Sequence, residues 1–388
     1  MNPDRLPLGF RYAAAFAGIR TIVKDDVALI VSDPLAVAAA VFTRNRVVAA
    51  PVELARKNLR VSGGKVRAIL VNAGNANCAT RTGERVALEC VRAAARALGC
   101  KPEQILPAST GVIGVEMDAK PIVKALPKLV SCLDAARFDA AAGAIMTTDT
   151  VPKTAYAEVK RAKIAGMTKG AGMIQPNMAT TLGFVMTDAV VSSAVLRAAL
   201  KRGVGRSYNR ISVDGDTSTN DTVIVLANGA SGVKPPAKAL EEALGSVLES
   251  LAIQIARDGE GARKLVTIDV EGAADERAAE RMARAIANSP LVKTAIAGSD
   301  PNWGRVLSAV GNSGVAFEPK QVDIEMQGVR VCRGGVAANF SEEELKTKLD
   351  ELECYVRFSI RGKGRGRARF WTCDFTQDYI EINASYRT

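Results

Sequence analysis

Residues 165–187 read AGMTKGAGMIQPNMATTLGFVMT, a run of glycine, methionine and small residues that passes directly into the apolar stretch 182–187. Glycine permits backbone angles and close approaches that other residues cannot make, so this composition predicts a tight, strained turn feeding a buried strand. Such a turn is a good place for a nucleophile, although in most proteins it is a plain loop. Outward from it, short β-branched runs alternate with alanine-rich amphipathic stretches, which predicts an α/β architecture. Strands are expected at 27–31, 68–72, 182–187, 222–227, 265–270 and 322–326. Helices are expected at 84–98, 119–135, 192–202, 238–256, 275–288 and 341–352. Serines ahead of the 192 and 341 helices, with Glu342 and Glu343 in the latter, supply N-cap oxygens and first-turn acids.

The chain has 388 residues, 48% apolar and 24% charged, enough for two or three domains with a large core and unlike a disordered chain. The most informative count is zero, because the sequence contains no histidine. That excludes a Ser-His-Asp triad, a Cys-His pair, His-ligated zinc and any imidazole base. A formal charge of +11 favours anionic partners, from small carboxylates to a nucleic-acid backbone, yet an ordinary solvated basic surface gives the same number. The seven cysteines, at 78, 90, 100, 132, 332, 354 and 373, are odd in number and contain no CxxC pair, which fits a reducing compartment. The apolar run from Ala13 to Ile19 is too short for a membrane helix and is closed by Arg20. Asp4 and Pro7 argue against a transit peptide. The expectation is a cytoplasmic protein with no membrane partner.

Without histidine, a hydroxyl nucleophile needs another base. The α-amino group of a threonine that begins a chain serves, since its pKa lies near 8. Internal cleavage must then expose it, at a junction of a small residue with threonine opening a strand. Ala179-Thr180 is such a junction. Ala-Thr pairs are common, so the pattern by itself leaves the matter open.

Eight segments, one of them overlapping the stretch quoted first, widen the comparison. In chain order they are VNAGNANCAT (71–80), PASTGVIG (107–114), AIMTTDTVPK (144–153), KGAGMIQPNMATTLGFVMTDA (169–189), SVDGDTSTND (212–221), RDGEGARK (257–264), GSDPNWGR (298–305) and DYIEINASYRT (378–388). Together with the opening PLGFRYAAAFAGIR (7–20), they resemble the blocks of the ornithine acetyltransferases, the bifunctional glutamate N-acetyltransferases of arginine biosynthesis. The resemblance spans nearly the whole chain.

It implies a layered α/β sandwich of stacked sheets and helices, with a smaller C-terminal α/β lobe at about 275–388. It further implies autocatalytic cleavage between Ala179 and Thr180 into an alpha chain, 1–179, and a beta chain, 180–388, assembled as two copies of each. Thr180 is then the nucleophile that takes acetyl from N2-acetyl-L-ornithine and passes it to L-glutamate. Thr110 and Gly111 match the oxyanion-hole pair, while Thr147 (or its neighbour Thr148), Lys169, Thr180, Glu260, Asn383 and Thr388 match the substrate contacts. Lys169 would meet a carboxylate and Glu260 an α-amino group. No metal or cofactor is implied, and use of acetyl-CoA as a further co-substrate stays open. Arg263 stands where the family usually has threonine, which alters the charge near Glu260. Two other readings share the fold: a self-cleaving aminopeptidase-type hydrolase and an acetyltransferase paralogue with a shifted substrate.

Three features invite other stories. GEGARK (259–264) lacks the spacing of a phosphate-binding loop. Asp214, Asp216 and Asp221 lack the register and final glutamate of a calcium loop, and read as turn architecture without metal. RGKGRGRARF (361–370) interleaves basic residues as an RNA-binding patch does, but Arg365, Arg367 and Arg369 alternate and so share one solvent-facing side of a strand. No nucleic-acid partner is expected.

Overall fold

The computed structural model describes residues 1–175 and 181–385, so Ala179, Thr180 and Thr388 lie outside the described residues. The chain divides into two compact units, the first built from 1–209 and 216–255, the second from 210–215 and the residues from Ala256 on.

The first unit holds strands β1 (Phe10–Ala15), β2 (Val27–Phe42), β3 (Lys65–Asn75), β4 (Ile105–Val112), β5 (Lys153–Val159), β6 (Ala162–Lys169), β7 (Leu182–Thr187) and β8 (Thr222–Ala227). Its helices are α1 (Ala50–Val61), α2 (Gly83–Leu98), α3 (Lys120–Ser131), α4 (Phe138–Ala144), α5 (Ser193–Arg206) and α6 (Ala237–Arg257), the last running into the second unit. The strands form one sheet in the order β4-β3-β2-β8-β7-β6-β5, with β1 also on β2.

The long strand β2 turns this sheet into two layers. Its beginning pairs with β1 and its end with β8, and its register against β3 shifts between Val31 and Ala36. Pro34, which has no N–H to give a ladder, falls inside that shift. One buried cluster joins Tyr12, Ile30 and Ile69 from the first half to Met167, Phe184 and Ile224 from the second, so the halves stack face to face. The two-residue period of a strand turns Ala13, Leu29 and Leu70 the other way, against Val91 of α2 and Leu126 and Leu129 of α3. On the second half Gly166 does the same toward α6, where an added Cβ would sit 2.9 Å from Leu251. The result is the layered α/β sandwich of helix, sheet, sheet and helix.

The strands expected at 182–187, 222–227 and 322–326 match the observed ones residue for residue. The helix expected at 119–135 stops at Ser131. Asp134 leaves it to exchange backbone hydrogen bonds of 3.0 and 3.1 Å with Tyr12, a tertiary pairing that outweighs local helix preference.

The second unit contains β9 (Leu265–Ala273), β10 (Val322–Met326), β11 (Val329–Arg333), β12 (Val336–Ala337), β13 (Glu353–Ile360) and β14 (Gly366–Cys373) in the order β12-β11-β10-β13-β9-β14. Helices α7 (Glu276–Ala287), α8 (Pro290–Ala297), α9 (Trp303–Gly311), α10 (Glu342–Leu349) and α11 (Gln377–Ser385) accompany it. Ile268, Val270, Val356, Phe358 and Phe370 pack on Met282 and Ile286 of α7 and Val306 and Val310 of α9. β9 lies inside the sheet, between β13 and β14. The helix expected at 341–352 ends at Leu349, and Leu352 instead accepts a hydrogen bond of 2.9 Å from the Leu265 amide at the start of β9.

Edge strand β14 buries Ala368 and Phe370 and exposes Arg367 and Arg369, as the alternation of its sequence requires. Arg369 donates to Asp269 of β9 at 2.7 Å. No helix among the described residues is long and apolar enough to cross a membrane. All seven cysteines are free thiols.

Candidate active site

Thr110 and Gly111 sit at the end of β4, where its parallel pairing with β3 loses register beside Gly74 and Asn75. Gly111 has φ +129°, and a Cβ there would lie 2.3 Å from the Gly74 carbonyl carbon. Only glycine fits, because the obstacle is backbone and cannot move aside. Thr110 is half-buried, and its Oγ1 accepts a hydrogen bond of 3.2 Å from Lys169 Nζ. Lys169 is the last residue of β6, only 8% exposed, and it pairs in the β6–β7 ladder with Leu182. The structure therefore brings together two of the residues singled out from sequence.

Beneath them lies a buried carboxylate that the sequence reading passed over. Asp149 Oδ1 accepts from Lys153 Nζ at 2.6 Å and from the Gly170 amide at 2.6 Å, while Oδ2 accepts from the Thr147 amide at 2.9 Å. Burial pushes the Asp149 carboxyl up, but the charges of Lys169 and Lys153 and the Gly170 N–H outweigh that and hold it down at about 2. Thr147 is thus tied through Asp149 to the residue that follows Lys169. The only sequence signal for this was the i, i+4 spacing of Asp149 and Lys153 within AIMTTDTVPK, which by itself suggests an ordinary helix-surface pair.

The chain flanking residues 176–180 is tied on both sides. Thr217 Oγ1 donates to the Gln175 carbonyl at 2.8 Å, and Thr217 also bridges Ile174. Thr181 Oγ1 donates to the Lys169 carbonyl and lies 3.1 Å from Thr168 Oγ1. The segment that holds Gln175 also holds β4. Asn220, 4% exposed, donates through Nδ2 to the carbonyls of Ala76 at 2.7 Å and Ser109 at 2.8 Å. The block SVDGDTSTND, read as turn architecture, is therefore a clamp that ties β4, the strand that carries Thr110, to the approach to the junction. Asn220→Ala leaves two buried carbonyls without their donor, and is expected to lower stability by about 2 kcal/mol. A lower urea midpoint at unchanged slope is the check, and an unchanged midpoint would remove the clamp.

In the second unit Glu260 and Asn383 meet. Asn383 Nδ2, on α11, donates to Glu260 Oε2 at 2.9 Å and to the Tyr379 carbonyl at 3.0 Å. Glu260 is 8% exposed and stands beside Gly261, whose φ is +68° and whose added Cβ would lie 2.4 Å from the Tyr379 nitrogen. Thr376 Oγ1 donates to the Gly261 carbonyl at 2.6 Å, pinning this loop to the start of α11. Arg263 points outward and pairs with Asp378 at 3.2 Å. Among the described residues, no group of three Asp, Glu or Cys side chains is arranged to hold a metal ion.

The fold and this site define the class: a layered α/β enzyme whose first unit sets a buried lysine against the hydroxyl of Thr110 near a strand end. The ArgJ family model matches residues 11–388. The arginine biosynthesis bifunctional protein ArgJ of Thermus thermophilus is 48% identical over 385 residues, 99% of each chain. That of Bradyrhizobium diazoefficiens is 46% identical over 396 aligned positions, 98% of this chain and 95% of the relative. A crystal structure of arginine biosynthesis bifunctional protein ArgJ from Bacillus halodurans aligns with a TM-score of 0.51 at 40% identity, covering 52% of this chain and 98% of the solved one. The chain belongs to the ArgJ family.

Proposed function

We propose that this enzyme cleaves itself between Ala179 and Thr180 and then transfers acetyl from N2-acetyl-L-ornithine to L-glutamate through an acetyl-threonine. The observation that carries the reading is the Lys169–Thr110 hydrogen bond of 3.2 Å, made by the residue whose ladder partner is Leu182. Strand pairing sets Lys169, and through it the Thr110 hydroxyl, beside the start of β7, and this supports an oxyanion role for Thr110 on this reading. The solved relative adds support, since a chain covering 52% of this one at 98% of its own length is what cleavage near the middle leaves.

Cleavage begins when Thr180 Oγ attacks the Ala179 carbonyl carbon, and the C–N bond gives way to an ester. Water hydrolyses the ester, leaving a carboxylate on Ala179 and a free amine on Thr180. That amine, with an ordinary pKa near 8, takes the hydroxyl proton for the next attack. Oγ adds to the acetyl carbonyl of the donor, the amide C–N bond breaks, and ornithine leaves with the proton. The glutamate amine then attacks the acetyl ester, and Oγ regains its proton. The Thr110 hydroxyl and the Gly111 N–H face the oxyanion in each addition. Glu260, held by Asn383, receives the α-amino group common to the amino-acid substrates, and Thr147 and the chain end at Thr388 complete the contacts.

The cycle uses no metal or prosthetic group. Acetyl-CoA presents the same acetyl carbonyl as a thioester and is the second donor to assay. Two copies of 1–179 and two of 180–388 form the proposed assembly, in the cytoplasm.

The test is intact mass under denaturing conditions, followed by acetyl transfer with donor alone, donor plus glutamate, and acetyl-CoA plus glutamate. Two species, 1–179 and 180–388, with N-acetylglutamate formed only when glutamate is present, are expected. Ornithine release at full rate without glutamate identifies a hydrolase instead. Gly111→Ala forces the strand end off Gly74 and is expected to lower kcat about 100-fold. Wild-type turnover in that variant would remove Gly111 from the oxyanion site.

A further inference from the structure

Lysine ammonium has three donors and no acceptor. In the 3.2 Å bond from Lys169 Nζ, Thr110 Oγ1 is therefore the acceptor, and its own hydrogen is directed elsewhere. A hydroxyl that accepts from a cation is a stronger donor through its remaining hydrogen, the more so in a buried setting. Lys169 is held for this task. Its backbone is in the ladder with Leu182, its carbonyl accepts from Thr181 Oγ1, and the next amide, of Gly170, is bound to Asp149 at 2.6 Å. Asp149 is itself fixed by Lys153 at 2.6 Å.

Resting on the acetyl-threonine reading above, we propose that Lys169 is a positioning residue that orients and polarises the Thr110 hydroxyl toward the oxyanion, with Asp149 as its anchor. This goes beyond a contact with a substrate carboxylate. A lysine that only binds a carboxylate matters only for substrates that carry one, whereas a lysine acting through Thr110 matters for every acyl donor.

The discriminating donor is p-nitrophenyl acetate, a neutral ester with no carboxylate. Thr180 Oγ attacks its carbonyl, the C–O bond to p-nitrophenolate breaks, and the hydroxyl proton passes to the Thr180 amine. The burst of nitrophenolate is measured per cleaved chain, with acetylation of 180–388 followed by intact mass, for wild type, Lys169→Met, Thr110→Val and the double variant. Each single variant is expected to slow the burst, Thr110→Val about 100-fold and Lys169→Met at least about tenfold. The double variant should be no slower than Thr110→Val alone, and Lys169→Arg, which keeps charge and donors, should recover most of the rate. If methionine blocks self-cleavage, Lys169→Gln takes its place with the same readings. An unchanged burst in the lysine variant, or additive losses in the double variant, overturns the proposal. A wild-type enzyme that releases nitrophenolate without acetyl on 180–388 overturns the acetyl-threonine reading itself, an outcome separable by mass from the other two.

Discussion

Thr180→Ala is expected to give one uncleaved chain of 388 residues with no acetyl transfer. On the proposed route the substitution removes the attacking Oγ, and without the cut no free amine forms to act as base. Loss of the nucleophile of a covalent cycle costs many orders of magnitude, about 10⁶ in a comparable case. No histidine is present to rescue the chemistry by another route. Thr180→Ser keeps a hydroxyl and should keep measurable cleavage and transfer. Denaturing mass spectrometry and ornithine release read both, and cleaved chains in the alanine variant would show that another residue makes the cut.

Asp149→Ala is expected to bring the largest loss of stability. It takes a charged acceptor from Lys153, whose side chain has no exposed surface, and an acceptor from the amides of Thr147 and Gly170. Breaking a buried ion pair by removing one member costs about 3–5 kcal/mol. The wild-type carboxyl is held at about 2 against an ordinary 3.8, so the folded state prefers the ionised form. Its contribution, about 2 kcal/mol by linkage, is complete above the unfolded value near 3.8 and is lost as pH falls toward 2. Asp149→Asn removes that titration, and its stability should fall less steeply with acid over the same window. Urea midpoints measured from pH 5 downward test this, and parallel acid profiles for wild type and variant would exclude Asp149 as the group responsible.

Much of the framework could be read locally. Strands β7 and β8 were legible because each is a short, largely apolar run bounded by polar residues, β10 because apolar and acidic residues alternate along it, and α2 because Val86, Cys90, Val91 and Ala94 recur on one helical face. The alternation of β14 fixed which arginines face solvent. Helix ends at Ser131 and Leu349 were misjudged, since the bonds that end them come from Tyr12 and Leu265, far away in sequence.

The sequence by itself determined the local periods and the exclusion of imidazole chemistry. Its blocks also located the candidate junction at Ala179-Thr180. Only the tertiary structure decided that Lys169 reaches Thr110, that Asn220 holds the Ser109 carbonyl, that Asp149 lies under the site, and that Asn383 meets Glu260. The reason is physical. Strand and helix periods specify which face a side chain takes, whereas the partners of a buried polar group are chosen where strand ends and loops converge, over separations of 59, 111, 21 and 123 residues respectively.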